Sequence, residues 1–383
     1  MGDGMRTIIK NVDIYLEDSL IKKGSVLIRH GKIESISEKH LNQSDTQMID
    51  GRGKRLIPGF IDGHIHGAVG YDVMDGVEAL KRMSQALPRE GTTSFVATTI
   101  TNPLEEIEQA IQAIHQFESS PGNAEVLGAH VEGPFIERGK AGAQPLNHIL
   151  NPDLDVVKRW LDLADDSIKT ITIAPELDID GRFIQFLVEH DVNVSAGHTA
   201  ANYGDIKQSV EKGVSQITHL CNAMPGIHHR DVGAVGAAML MDNLMSELIA
   251  DRIHVSDEML KLIFQTIGPE RLIMITDAMR AKGMSEGTYT LGGQQVTVKD
   301  GRATLSNGTL AGSVLTMDQA ARNLLEVTEA NFRDIIQMAS VNPAKQLGVF
   351  EQKGSIAVGK DADLLIVDEQ FHIEHTFCRG VLS

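Results

Sequence analysis

Cysteine is nearly missing from this chain: only Cys221 and Cys378 occur among 383 residues, and they lie far apart. A disulfide framework is therefore not expected, and a reducing, cytoplasmic setting is. Aromatic residues are scarce at 4%, with Trp160 the lone tryptophan. That argues against a stacking platform for polysaccharide or single-stranded nucleic acid. Basic residues are outnumbered, 35 Lys and Arg against 52 Asp and Glu, for a net charge of −17. Such a surface repels nucleic acid, and no basic run offsets it. No apolar run reaches the roughly 18 residues of a membrane span. A signal peptide's basic, apolar and small-residue succession is also lacking at the N-terminus. Met1-Gly2-Asp3-Gly4 ahead of Met5 is compatible with an expression scar. A small-molecule substrate fits best, and an anionic one would need a few local cations to hold it.

What is present suits one large α/β barrel with a small appendage, since 42% of the residues are apolar. The first fifty-odd residues read as short strands with turns: Thr7–Tyr15, Gly24–Arg29 and Lys32–Ile36. The C-terminus has the same character over Ser355–Gly359, Ala362–Val367 and Phe371–Phe377. Both ends together predict one small β-sandwich, residues 1–57 plus 351–383, around a catalytic domain at 58–350.

In the middle, apolar strands alternate with helical stretches. The expected strands are Leu56–Ile61, Thr93–Thr98, Val126–Val131, Lys169–Ala174, Val192–Ala196, Gln216–His219, Glu247–Ala250 and Arg271–Ile275. Asn102-Pro103 opens a helix over Leu104–Phe117 with Pro103 at its first position, and Asn151-Pro152 opens Asp153–Leu163. Ser256 caps Asp257–Ile267, and Gly268 stops it. Eight such units point to a (β/α)8 TIM-type barrel. A doubly wound open sheet would normally carry a Gly-rich dinucleotide turn after its first strand, and none is present.

Chemistry in such barrels sits at the C-terminal ends of strands. The first strand leads into His64-Ile65-His66, whose imidazoles share a face because side chains alternate along a strand. The third ends at Glu132, the fifth at His198, the sixth at His219 and the eighth at Asp277. Imidazole with carboxylate suits Zn²⁺ or Fe²⁺ rather than Ca²⁺ or Mg²⁺. Each residue alone has a plainer explanation: a satisfied core histidine, a turn glutamate, an Asp helix cap. The coincidence at strand ends is what points to a metal. His130 shares the parity of Glu132 and reads as core, while His228 and His229 read as solvated loop residues.

At this point the motifs become recognisable. PGFIDGHIHG (Pro58–Gly67), SVNPAKQLGV (Ser340–Val349) and GSIAVGKDADLLIVD (Gly354–Asp368) resemble the amidohydrolase superfamily. HVEGPF (His130–Phe135), AGAQ (Ala141–Gln144), SAGHT (Ser195–Thr199), THLCNAM (Thr218–Met224), ITDAM (Ile275–Met279) and LAGS (Leu310–Ser313) are similar, within it, to the N-acetylglucosamine-6-phosphate deacetylase family. They keep that family's order over nearly the whole chain.

The resemblance implies metal-dependent hydrolysis of an acetamido group on a phosphorylated amino sugar. It makes Glu132, His198 and His219 the main metal ligands, and His64 and His66 a second position that Glu132 bridges. One or two divalent ions, Zn²⁺ or Fe²⁺, follow. The fourth strand leads to Ala174-Pro175-Glu176, without the carboxylated lysine many amidohydrolases use. Asp277 would take a proton from the attacking water and hand it to the departing nitrogen. Asn222, Ala223, Arg230, Asp251 and His254 match positions near the sugar phosphate. Ala143, Gln144, Leu310, Ala311 and Gly312 match loops around the sugar. Phosphate contacts from a neighbouring subunit imply a homodimer. Asp231 and Arg252 depart from the family's usual residues.

Overall fold

The computed structural model describes residues 6–39, 41, 46–164 and 167–383; Met1–Gly4 lie outside them. Eight parallel strands pair in chain order: Phe60–Ile65, Thr92–Thr99, Glu125–Glu132, Ile168–Ile173, Asn193–Ala196, Gln216–Ile217, Met245–Ile249 and Leu272–Ile275. They are almost wholly buried, as expected where a barrel core lines one face and helices cover the other. The seam between last and first strands closes at its upper end. There the Asp277 N–H donates to His64 O and the His66 N–H to Ala278 O, each at 2.8 Å. Lower down, the Asp62 carboxyl takes the place of a main-chain partner, accepting the Thr276 N–H at 3.2 Å and its hydroxyl at 2.5 Å.

A helix follows each strand, and the boundary signals explain most of them. Ser256 caps Asp257–Ile267, accepting from the Met259 N–H. Asn202 and Asp205 form a reciprocal capping box on Tyr203–Lys212. Leu104–Gln116 buries Ile107, Ile111 and Ile114 against the barrel. Pro103 precedes it as the cap residue, with extended ψ, rather than filling its first turn.

Both chain ends build a second sheet around its own apolar core of Ile9, Val26, Ile28, Leu56, Leu364, Ile366 and Phe377, among others. The long strand Arg6–Tyr15 pairs with Leu20–Arg29 along one edge. Its other edge is shared by Thr46–Asp50 and Arg55–Pro58, so the sheet divides there. Leu364–Val367 lies between Arg55–Pro58 and Ile373–Cys378.

Two expectations are corrected, and one sheet was not expected. The apolar run Leu56–Ile61 is not one strand: Arg55–Pro58 pairs with Leu364–Val367, and the first barrel strand starts at Phe60. The chain changes sheets at Gly59, where a Cβ would come within 2.2 Å of Thr93 Oγ1. Ser355–Gly359 is not a strand, because Gly354 and Gly359 both take positive φ and turn the chain. Finally, Gly287–Leu291, Gln294–Lys299 and Arg302–Thr304 form a three-stranded sheet that the alternation did not reveal. This insert follows the eighth barrel strand and packs Leu291, Val296 and Ala303 against Ile100 and Met279 above the barrel mouth.

The motif Ser340–Val349 seals the opposite end. The Asn342 amide donates to Pro269 O and Leu272 O at 2.7 and 2.6 Å, and the Ser340 hydroxyl to Gly59 O at 2.9 Å. It therefore satisfies carbonyls where the last and first strands begin. Nearby, the buried Lys353 ammonium bridges barrel and terminal sheet, donating to the Ser94 hydroxyl of the second barrel strand at 3.3 Å and meeting Asp363 at 3.0 Å. Among the described residues no helix is long and apolar enough to cross a membrane.

Candidate functional site

His64 and His66 leave the first strand on the same side, as alternation requires, with their Nε2 atoms 3.4 Å apart. Glu132 ends the third strand and reaches between them and the fifth and sixth strands. His198 Nε2 and His219 Nε2 stand 3.2 and 3.0 Å from Glu132 Oε1 and 3.1 Å from each other. Donors on a tetrahedral ion at about 2.0–2.1 Å lie roughly 3.3 Å apart, so this triangle has the size of a metal's coordination edge. A second triangle joins His64 Nε2, His66 Nε2 and Asp277 Oδ1 at 3.3–3.5 Å. Glu132 Oε2 lies 3.1 Å from His66 Nε2, so the two oxygens of one carboxylate face different triangles.

The ring nitrogens are oriented for this. The Lys140 carbonyl lies 2.8 Å from His198 Nδ1, which must then carry the hydrogen and leave the Nε2 lone pair free. Two imidazole nitrogens facing each other at 3.1 Å repel unless something positive lies between them. The carboxylates ask for the same positive charge. Burial disfavours a charged His66, yet Asp277 and Glu132 raise it to about 9. Burial likewise opposes ionisation of Asp277, but His64 and His66 hold it at about 2. Glu132 is kept well below the usual carboxylate range by the surrounding imidazoles, His64 foremost, against its own burial. Divalent cations fit this donor set.

Backbone strain accompanies the site. His198, His219 and Asp277 take φ of 45°, 33° and 48°, as do Cys221 and Ala223 beside them at 80° and 53°. Such values are uncommon without glycine and are held only where surrounding structure imposes them. The sixth strand ends at Ile217, two residues earlier than expected, as the chain turns toward His219.

A cavity of about 310 Å³ opens above these residues. Ala143, Gln144, Asn222, Ala223, His254, Leu310 and Gly312 line it, together with His66, Glu132, His198, His219 and Asp277. Leu291 and Thr309 add walls that the sequence did not single out. The insert also holds the facing loop, since the Gln294 amide donates to Ala143 O at 2.6 Å. Gln144 is already engaged: its Oε1 accepts the Thr101 N–H and its Nε2 donates to Glu132 Oε2, both at 2.8 Å.

Other expected residues lie elsewhere. Ala311 is fully buried in the core of the insert. Asp251 sits behind the cavity, and its Oδ2 lies 2.6 Å from His254 Nδ1, which holds the His254 ring. Burial of His254 is outweighed by this contact, and its pKa is raised. Arg230 occupies an exposed turn closed by His228 and Asp231, beside His229 Nε2 at 2.8 Å. Asp231 accepts the Gly233 N–H through its side chain, closing the turn ahead of the next helix. Arg252 faces outward in bonds to Asp257 and Glu326, not into the cavity. Glu176 accepts from the Thr199 hydroxyl and the Ala200 N–H, which supports the loop after His198. His130 is core, as expected, and bonds to Thr172 Oγ1 at 2.7 Å.

A model of the amidohydrolase family matches residues 55–382. The chain is 44% identical over 382 residues to an N-acetylglucosamine-6-phosphate deacetylase of Bacillus subtilis (strain 168), covering 98% of this chain and 96% of the relative. The solved N-acetylglucosamine-6-phosphate deacetylase of Pasteurella multocida matches with a TM-score of 0.92 at 30% identity, covering 99% of this chain and 100% of that one. A variant of the Mycobacterium smegmatis enzyme of that name, in complex with N-acetyl-D-glucosamine-6-phosphate, gives 0.90 at 28% identity over 100% of this chain and 99% of that one.

Proposed function

The chain belongs to the amidohydrolase family, which is metal-dependent, and from that premise we propose that it hydrolyses N-acetyl-D-glucosamine 6-phosphate. The products are D-glucosamine 6-phosphate and acetate, a step of amino-sugar catabolism. Two adjoining metal-sized triangles, one of Glu132, His198 and His219 and one of His64, His66 and Asp277, with Asp277 lining the cavity, support this assignment.

An amide resists water because its carbonyl is a poor electrophile and its amine a poor leaving group. Divalent ions held by Glu132, His198 and His219, and by His64, His66 and Glu132, would polarise the carbonyl and acidify water there. Zn²⁺ or Fe²⁺ suits these donors. Asp277 is the base and then the acid. The surrounding imidazoles keep its carboxylate ionised, so it is in the form that can take a proton from the attacking water, and it returns that proton to the departing nitrogen. Its main chain is clamped from both sides, by the bond to His64 O and by the Ser313 N–H at 2.8 Å, which fixes the carboxylate over the cavity floor.

Phosphate must be held against a net charge of −17. His254, with its ring fixed by Asp251, offers one imidazole contact at the cavity wall. The exposed Arg230 turn suits a second contact, made by Arg230 of the partner subunit in a homodimer. Asn222 and Ala223 meet the sugar phosphate, and Leu310 and Gly312 the sugar. Arg230→Ala is then expected to raise KM for the phosphorylated sugar roughly 10–100-fold, the worth of a charged hydrogen bond, while leaving KM for N-acetylglucosamine itself unchanged. Equal changes with both substrates would remove Arg230 from the phosphate site.

The decisive experiment pairs elemental analysis of the purified protein with acetate release. The panel holds N-acetylglucosamine 6-phosphate, its galactosamine epimer and N-acyl amino acids. Metal-dependent acetate release, fastest with the glucosamine compound, is expected. Preference for an acyl amino acid would assign the chain to a different amidohydrolase activity.

A further inference from the structure

Glu247 belongs to a barrel strand, is buried, and lies directly behind the metal centre. It projects from the seventh barrel strand, Met245–Ile249. Its Oε2 lies 2.9 Å from His64 Nδ1 and also accepts the His219 main-chain N–H at 3.1 Å. Its Oε1 accepts from Gln216 Nε2 at 2.8 Å. One oxygen thus touches a histidine from each triangle.

We propose that Glu247 is a positioning residue that couples the two metal positions, fixing the His64 ring for one ion while anchoring the strained His219 main chain for the other. The inference rests on the metal-centre assignment above. A carboxylate accepts only, so His64 Nδ1 carries the hydrogen and Nε2 presents its lone pair to the His66 and Asp277 side. An anionic partner on Nδ1–H makes Nε2 a stronger donor, and loss of such partners commonly weakens metal binding 10–100-fold. At His219 the same oxygen satisfies an N–H in a left-handed turn, where φ is 33°. Gln216 supports Glu247 in turn and leaves no lone side of the carboxyl without a donor.

The test is titration of the apoprotein with Co²⁺, in competition with a chelator and followed by the visible bands of the bound ion. Wild type, Glu247→Gln and Glu247→Met are compared. Glutamine keeps an acceptor but loses the charge, and about tenfold weaker binding of the second equivalent is expected, with altered band intensities. Methionine removes the acceptor, and a loss of about a hundredfold is expected at that equivalent, with weakening of the first. If methionine prevents folding, the glutamine variant carries the comparison. Wild-type affinities and spectra in a variant with only a lowered Tm would overturn the proposal and leave Glu247 as a packing residue. A wild type that takes up a single ion would overturn the two-position centre, and the coupling with it.

Discussion

Asp277→Asn is expected to lower kcat roughly 10²–10⁴-fold, the usual worth of a positioned proton-transfer group, with little change in KM. The amide has the shape of the carboxylate, and the main-chain clamps to His64 and Ser313 do not involve the side chain, so the fold should be retained. What disappears is a base held at about 2 by His64 and His66 despite its burial. Asparagine can neither take the water's proton nor protonate the leaving nitrogen. Because Asp277 Oδ1 also lies 3.3 Å from His66 Nε2, metal content must be measured alongside turnover. The ion between Glu132, His198 and His219 should remain. Turnover close to wild type would remove Asp277 from the proton path.

Glu132→Gln should have the widest effect. This carboxylate supplies Oε1 to His198 and His219 and Oε2 to His66, so a single substitution removes an anionic donor from both triangles. The glutamine amide would also set an N–H or a weaker carbonyl against imidazole nitrogens that need a cation between them. Bound metal is expected to fall to background by elemental analysis, and acetate release with it. Circular dichroism should still report a folded barrel, because among the described residues the Glu132 side chain makes no hydrogen bond to the main chain. Its contacts are to imidazoles and to the Gln144 amide. Retention of a full metal complement would refute the bridging role.

The barrel was legible because short strands rich in β-branched and small residues alternate with helices that carry strong boundary signals, such as Ser256 and Gly268 around Asp257–Ile267. The ligands were legible because strand ends share one rim, so residues from 64 to 277 could be assembled without knowing any contact. Sheet exchange at Gly59 was hidden, since Leu56-Ile57 and Phe60-Ile61 look alike whichever sheet they join. The insert over the mouth was hidden because Gly287–Thr304 is short and largely exposed, with no helix to complete a βα unit. Ala311 matches a loop position around the sugar, and its methyl group packs in the core of that insert. Glu247 meets the site only through His64 and His219, and such contacts leave no spacing pattern to read.

The dividing terminal sheet bears on how the chain matures. Arg55–Pro58 presents its outer edge to Leu364–Val367, which emerges from the ribosome some three hundred residues later. Until then that edge is open to any passing strand, a recognised route to aggregation. A nascent or prematurely terminated chain carries a finished barrel rim above an unfinished platform, so loss of the last twenty residues should harm solubility before it harms chemistry.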